Sequence, residues 1–168
     1  MLNANDFVNT QTYAEITADT VKCPYANSAF KVLKNMSSKK KGKYFERMYE
    51  EYMTSKGCKV EKPRNSDHDR VCNNRKKEIK GSFLWGEGSH FRWQQIRPDQ
   101  DYDDVVFIAV YAEEVRFYEA DKETVRKAVE IQDANGNWIC NQHGGKRVKS
   151  GTYFLDGKPE DYEWMQAV

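Results

Sequence analysis

The stretch Asp69-Arg70-Val71-Cys72-Asn73-Asn74-Arg75-Lys76-Lys77-Glu78-Ile79-Lys80 decides the fold. Two short β-forming runs flank the Asn73-Asn74 pair, the pattern of a β-hairpin. In the second run Glu78 and Lys80 stand two residues apart and therefore share a face, while Ile79 points to the opposite face and into a core. With the turn at Asn73-Asn74-Arg75, Asp69 comes opposite the Glu78 end. Two carboxylates and one ammonium then converge on one point, and Gly81-Ser82 is expected to break the strand.

On the N-terminal side, residues 42–56 carry Tyr44, Phe45, Met48, Tyr49, Tyr52 and Met53 at helical spacing, and Gly57 is placed to end that helix. Cys58–Val60 reads as a short strand leading into a loop at Pro63. Residues 1–36 are the least decisive: Asp19-Thr20 is a candidate cap, and Ala29, Phe30, Val32 and Leu33 give one apolar face. On the C-terminal side, residues 83–98 are ambiguous between helix and loop. Val105–Tyr111 has the unbroken apolar character of a buried central strand, and Val115–Tyr118 returns beside it after Glu113-Glu114. Asp121 suits the N-cap of a helix over Lys122–Glu130. Asp133–Asn137 is a loop, and Trp138-Ile139 and Thr152–Leu155 are strand-like pieces in an irregular tail. The order predicts a mixed α/β (α+β) domain.

The 168 residues are one domain by length. Aromatic residues make up 13% of the chain, too many for a disordered one. No run of about 18 apolar residues is present, so no helical membrane span is expected, and Met1–Asp6 lacks the basic and apolar regions of a secretory signal. The four cysteines, Cys23, Cys58, Cys72 and Cys140, form no C-x-x-C pair and read as free thiols in a reducing, cytoplasmic setting. Cys140 and His143 are only two of the four ligands that a structural zinc needs. Lys+Arg 27 against Asp+Glu 26 gives a formal charge of +1, which excludes a global basic footprint. The charge is nevertheless blocked: Lys39, Lys40, Lys41 and Lys43; Arg75, Lys76 and Lys77; Lys146, Arg147 and Lys149; with acid at Asp99–Asp104 and Asp156–Glu163. A neutral protein can still present a positive cleft.

The hairpin's point of convergence suits a hard divalent cation, since Mg²⁺ takes oxygen ligands, keeps several waters, and needs only one or two carboxylates. Such an ion neutralises charge building on a phosphate and lowers the pKa of a bound water, and Lys80 would stand beside both. An ordinary charged surface hairpin is the alternative, because E-x-K alone is a weak signal.

Gly42-Lys43-Tyr44-Phe45-Glu46, Gly57–Val60, Ser66-Asp67-His68-Asp69-Arg70-Val71 and Glu78-Ile79-Lys80-Gly81-Ser82 follow one another in the order seen in the PD-(D/E)xK nuclease superfamily, which the chain resembles over roughly residues 42–125. Phe91–Pro98 and Gln100–Asp103 look like segments of its type II restriction endonucleases. The literal Pro-Asp pair is missing, because His68 precedes Asp69. The resemblance implies a central mixed β-sheet flanked by helices. It makes Asp69, Glu78 and the backbone carbonyl of Ile79 the metal ligands, Lys80 the catalytic lysine, Glu46 an auxiliary acid and Gln95 a polar residue facing the site. Asp67 competes for the first aspartate. The implied activity is Mg²⁺-dependent, sequence-specific cleavage of double-stranded DNA, with Mn²⁺ as a substitute ion. A homodimer is expected, and a separately encoded cognate DNA methyltransferase is a partner such an enzyme implies. The alternatives are a repair or Holliday-junction nuclease of the same fold, or a non-catalytic DNA-binding domain.

Within residues 1–168 the nuclease core is expected over about 42–130, residues 1–41 forming an N-terminal arm or helices and 131–168 a C-terminal DNA-recognition extension. Lys43 and Arg97 are candidate DNA contacts. Asn141, Gln142, His143, Lys146 and Arg147 carry the amide and cationic groups that read adenine and guanine edges. A flexible basic loop touching only phosphates is the alternative there.

Overall fold

The computed structural model describes residues 8–12, 14–15, 23–85, 89–142 and 151–168. After a single turn of helix, α1 (Lys31–Lys34), the chain forms the long helix α2 (Ser38–Ser55), then β1 (Val60–Glu61), β2 (Arg70–Cys72), β3 (Arg75–Trp85), β4 (His90–Ile96), β5 (Asp104–Val110) and β6 (Val115–Asp121). Helix α3 (Lys122–Val129), β7 (Tyr153–Gly157), a 3₁₀ turn at Pro159–Asp161 and β8 (Gln166–Ala167) complete it. The sheet runs β1-β2-β3-β5-β6-β8, with β4 pairing β3 and β7 off that path. This is the expected mixed α+β architecture, with a central mixed sheet between helices.

The hairpin forms as its sequence dictates. Asn73 and Asn74 adopt φ of 48° and 67°, the left-handed pair that a tight hairpin turn requires, and Arg70 faces Lys77 in antiparallel register. Beyond it β3 pairs in parallel with β5 over seven residues, from Lys77 opposite Asp104 to Phe83 opposite Val110. Every residue of β5 is buried, so its side chains feed two cores. Val106, Ile108 and Val110 join Ile79 and Phe83 beneath Phe45, Tyr49 and Met53 of α2. Val105, Phe107 and Ala109 face Trp93, Ile96, Tyr153 and the α3 residues Val125 and Val129. Asp121 caps α3 as expected, accepting from the Thr124 N–H at 2.9 Å.

Several expectations change. Helix α2 starts at Ser38, not residue 42, so the lysine block lies in its first turns. Its buried residues are Phe45, Tyr49 and Met53, while Tyr44 faces solvent. Val32 of the apolar N-terminal face is also exposed. Asp19-Thr20 lies outside the described residues. Gly81-Ser82 does not break β3, which runs on to Trp85. A Cβ on Gly81 would lie 2.2 Å from Phe45 Cδ2, so glycine there lets the helix close onto the strand. The described residues of 83–98 hold the end of β3 and the whole of β4, strand where helix or loop was expected. The core also reaches beyond 42–130, to Tyr25, Tyr153, Leu155 and Met165. All four cysteines are free thiols, and among the described residues no helix is long and apolar enough to cross a membrane.

The second basic block is taken up in ion pairs, and only Lys77 of it is buried. Lys77 Nζ lies 2.8 Å from Asp104 and 2.7 Å from Glu119, Arg75 binds Asp104, and Lys76 reaches Asp101. Tyr49 closes the network by donating to Glu119 at 2.6 Å, so a set of charges centred on the buried Lys77 and Asp104 ties β3, β5, β6 and α2 together. Burial acts to raise the Asp104 pKa, but hydrogen bonds from Arg75 and Lys77 outweigh it and hold the carboxyl below its ordinary value. A depressed folded-state pKa stabilises above the unfolded value and is lost as pH falls through the folded one. Asp104→Asn should therefore lose about 3 kcal/mol at neutral pH. The gap to the parent should close on acidification below the ordinary aspartate range, as followed by urea unfolding across pH.

Candidate active site

Past β2 the edge of β3 lies open. β2 pairs β3 at Arg75–Lys77 and β4 pairs it at Leu84 and Trp85, and among the described residues no strand pairs that edge between them. Asp69 stands immediately before β2. Its N–H donates to the Lys77 carbonyl at 2.9 Å, and its Oδ2 accepts from the Ile79 N–H at 2.7 Å. The carboxylate thus takes the position of the missing strand. A residue's N–H and C=O lie on the same edge of a strand, so the Ile79 carbonyl opens to the Asp69 side. Asp67 does not occupy this place; its N–H turns back to Asn65 Oδ1 in the preceding loop.

Glu78 and Lys80 share a face, as their spacing requires, and form an ion pair. Glu78 is buried. Burial raises its pKa; the Lys80 charge opposes that, the Asp69 charge adds to it, and the Arg97 charge opposes it more weakly. Glu46 comes from α2. Its pKa is likewise raised by burial and by Asp69, against the lowering effect of Arg70. Glu78 and Glu46 therefore each feel the Asp69 charge as a like charge, with Lys80 the counter-charge of Glu78 and Arg70 that of Glu46. Among the described residues no three His, Cys, Asp or Glu side chains group closely enough to hold a metal by themselves. The donor set at this edge is the carboxylates of Asp69, just before β2, and Glu78, on β3, with the Ile79 carbonyl, leaving other positions to water. That set fits a hard cation such as Mg²⁺.

Beside this edge lies a cleft of about 1110 Å³ lined by Glu46, Ile79, Lys80, Gln94 and Gln95 and rimmed by lysines. Lys34 comes from α1; Lys39, Lys41 and Lys43 come from the first turns of α2. That end of α2 has no acidic residue in its first turn and no side-chain cap from Ser37. Lysines there oppose the helix dipole, so the rim is a concentration of positive potential. Among the described residues Glu46 is the one lining carboxylate, and it is paired with Arg70.

Other expected contacts are placed differently. Arg97 is exposed at the end of β4. Gln142 is half-buried and bonded to β4: its Oε1 accepts from the Gln95 N–H at 2.6 Å and its Nε2 donates to Gln94 Oε1 at 3.3 Å. Asn141 pairs with Tyr153 in an isolated bridge. His143, Lys146 and Arg147 lie outside the described residues. Trp93 is a core residue, its indole donating to the Ile108 carbonyl at 3.1 Å.

Three contributors were not singled out from the sequence. Arg70 is buried beside Asp69 and binds Glu46 at 2.8 Å, Glu50 at 2.9 Å and the Asp69 carbonyl at 2.6 Å. Its place directly after the aspartate was the available signal. Arg92 stacks on Trp85 and Phe154 and pairs with Asp156 at the cleft wall. Tyr102 buries its hydroxyl without a hydrogen-bond partner among the described residues, and the Glu78 charge helps burial to raise its pKa.

No protein-family model matches the chain, and no curated protein matches it. Among solved structures it is similar to a bacterial homing endonuclease, with 18% identity and a TM-score of 0.44 over 53% of this chain and 72% of that one.

Arg70 is the counter-charge on which Glu46 and the Asp69 backbone both lean. Arg70→Met should cost about 3 kcal/mol in urea unfolding, because it leaves half-buried carboxylates without their partner. The cost should be smaller on a Glu46→Gln background, where one of those charges is gone.

Proposed function

We propose that the protein is a Mg²⁺-dependent, sequence-specific DNA endonuclease of the PD-(D/E)xK superfamily, acting on double-stranded DNA in the manner of a type II restriction enzyme, with Mn²⁺ able to replace Mg²⁺. The observation that carries this reading is the open edge of β3, where Asp69 holds the Ile79 N–H beside Glu78 and Lys80, at the wall of a lysine-rimmed cleft. Asp69, Glu78 and the Ile79 carbonyl would hold the cation, which when bound supplies charge neutralisation at the scissile phosphate and a more acidic water.

The remaining work falls to this chain's own groups. Lys34, Lys39, Lys41 and Lys43 draw the phosphodiester backbone into the cleft by charge alone, without reading sequence. Lys80, held on the site face by its alternation with Ile79, orients the attacking water or stabilises charge on the phosphate. Glu46 is placed to act through water as an auxiliary acid, with Arg70 fixing its position. One chain carries one such site, so a double-strand cut calls for two copies, and a two-fold dimer fits a near-palindromic target.

The test is digestion of plasmid DNA in Mg²⁺. Discrete bands are expected from the parent, with sedimentation of the DNA-bound protein at twice the monomer mass. Asp69→Asn, Glu78→Gln and Lys80→Ala should each lose about a hundred-fold or more in cleavage rate while binding DNA in Ca²⁺. Cutting of branched DNA alone would transfer the site to junction resolution. A parent that binds but never cuts, or a Glu78→Gln variant cutting at the parent's rate, would refute the nuclease assignment.

A further inference from the structure

Regular strands send successive side chains to opposite faces. β4 breaks that rule where it meets the cleft. Its register against β7 shifts between Trp93 and Ile96, and Gln95 sits at φ 59°, a left-handed backbone that a non-glycine residue adopts only when its surroundings impose it. The outcome is that Gln94 and Gln95, neighbours in sequence, both line the cleft that holds Lys80, while Trp93 and Ile96 on either side are fully buried. Bulges of this kind re-aim side chains beside functional sites.

Gln142 holds the bulge in place. Its carboxamide bridges the two glutamines, accepting from the Gln95 N–H and donating to Gln94 Oε1. That bond uses one lone pair of Gln94 Oε1. The other lone pair and the Nε2–H₂ group are not used by it, and they form a donor and acceptor set side by side at the end of a half-buried, oriented side chain.

We infer that Gln94, turned into the cleft by the β4 bulge and oriented by Gln142, is a base-reading residue that pairs with the major-groove edge of an adenine. The inference rests on the DNA-cleaving reading above and deepens it. A glutamine carboxamide matches the N6–H₂ donor and N7 acceptor of adenine in a bidentate pair, whereas the rim lysines supply only phosphate contacts. Gln142 is then a positioning residue behind the contact. Readout moves from the tail to β4, the element that also walls the metal edge.

The experiment is selection of bound DNA from a pool of duplexes randomised over their central segment, in Ca²⁺ so that nothing is cut, followed by sequencing. The parent should enrich a motif containing an adenine. Gln94→Ala should flatten the preference at one adenine position, lowering discrimination there about ten-fold and leaving the other positions unchanged. Gln94→Glu keeps the side-chain length and an oxygen for Gln142, so it preserves the local structure. It should exchange adenine for cytosine at that same position, because a carboxylate accepts from cytosine N4. Gln142→Ala should blur the same position to a lesser degree. A parent that enriches no motif, or Gln94→Ala and Gln94→Glu variants whose motif equals the parent's, would overturn the inference. Its failure is separable from that of the nuclease reading. A parent that selects sequence but leaves plasmid intact in Mg²⁺ and Mn²⁺ loses only the second, and a parent that cuts without preference loses only the first.

Discussion

Seven residues of β3, Lys77 to Phe83, lie in parallel register against β5, a strand buried on both faces. A strand with no solvent face gives its neighbour no freedom of register, because a slip of one residue would exchange the two faces. Ile79 and Phe83 must enter the core under α2, and Glu78 and Lys80 must take the opposite side. The charge pair on β3 is therefore held in place by the apolar packing of its partner.

The same pairing explains how polar groups come to be tolerated there. β2 ends its ladder with β3 just before Glu78, and Asp69 takes over the next backbone donor, the Ile79 N–H. Without that carboxylate a half-buried N–H would lack a partner, which is costly. Structural need and chemical opportunity coincide on one side chain: the aspartate that completes the strand's hydrogen bonding also stands beside Glu78. Arg70, the next residue, turns to the helix side and neutralises Glu46 and Glu50. At the far end of the pairing the Tyr25 hydroxyl accepts from the Leu84 N–H and donates to the Val110 carbonyl, tying β3 to β5 where their ladder stops.

Charge is sorted by the same geometry. The block Arg75–Lys77 lies on β3 opposite the acidic end of β5 and the Glu119 position of β6, so it is consumed in internal pairs. The block Lys39–Lys43 rides on the first turns of α2, with no acidic residue there to answer it, and rims the cleft. Two basic runs that look alike in sequence thus have opposite fates, decided by what each faces. Among the described residues, that leaves the unanswered lysines around the cleft that Ile79 and Lys80 line.

The sequence by itself determined the local elements: the Asn73-Asn74 turn, the α2 stripe of Phe45, Tyr49 and Met53, the Asp121 cap and the wholly apolar β5. It also determined the placement of Asp69, Glu78 and Lys80 relative to one another, because all of these depend on spacing within a few residues. Only the tertiary structure decided that β3 continues through Gly81-Ser82, since that depends on the Phe45 ring lying over a glycine and on β5 supplying a parallel partner. Only the tertiary structure brought Gln142 against β4 and turned Gln94 and Gln95 together into the cleft. A bulge has no periodic signature, and a bond between residues 47 or 48 positions apart arises from how β4 and the tail pack. Hydrogen bonding within a strand pair and packing along one helix face are short-range and written in the spacing. The pairing of charges and amides across the sheet is set by which elements the fold brings side by side.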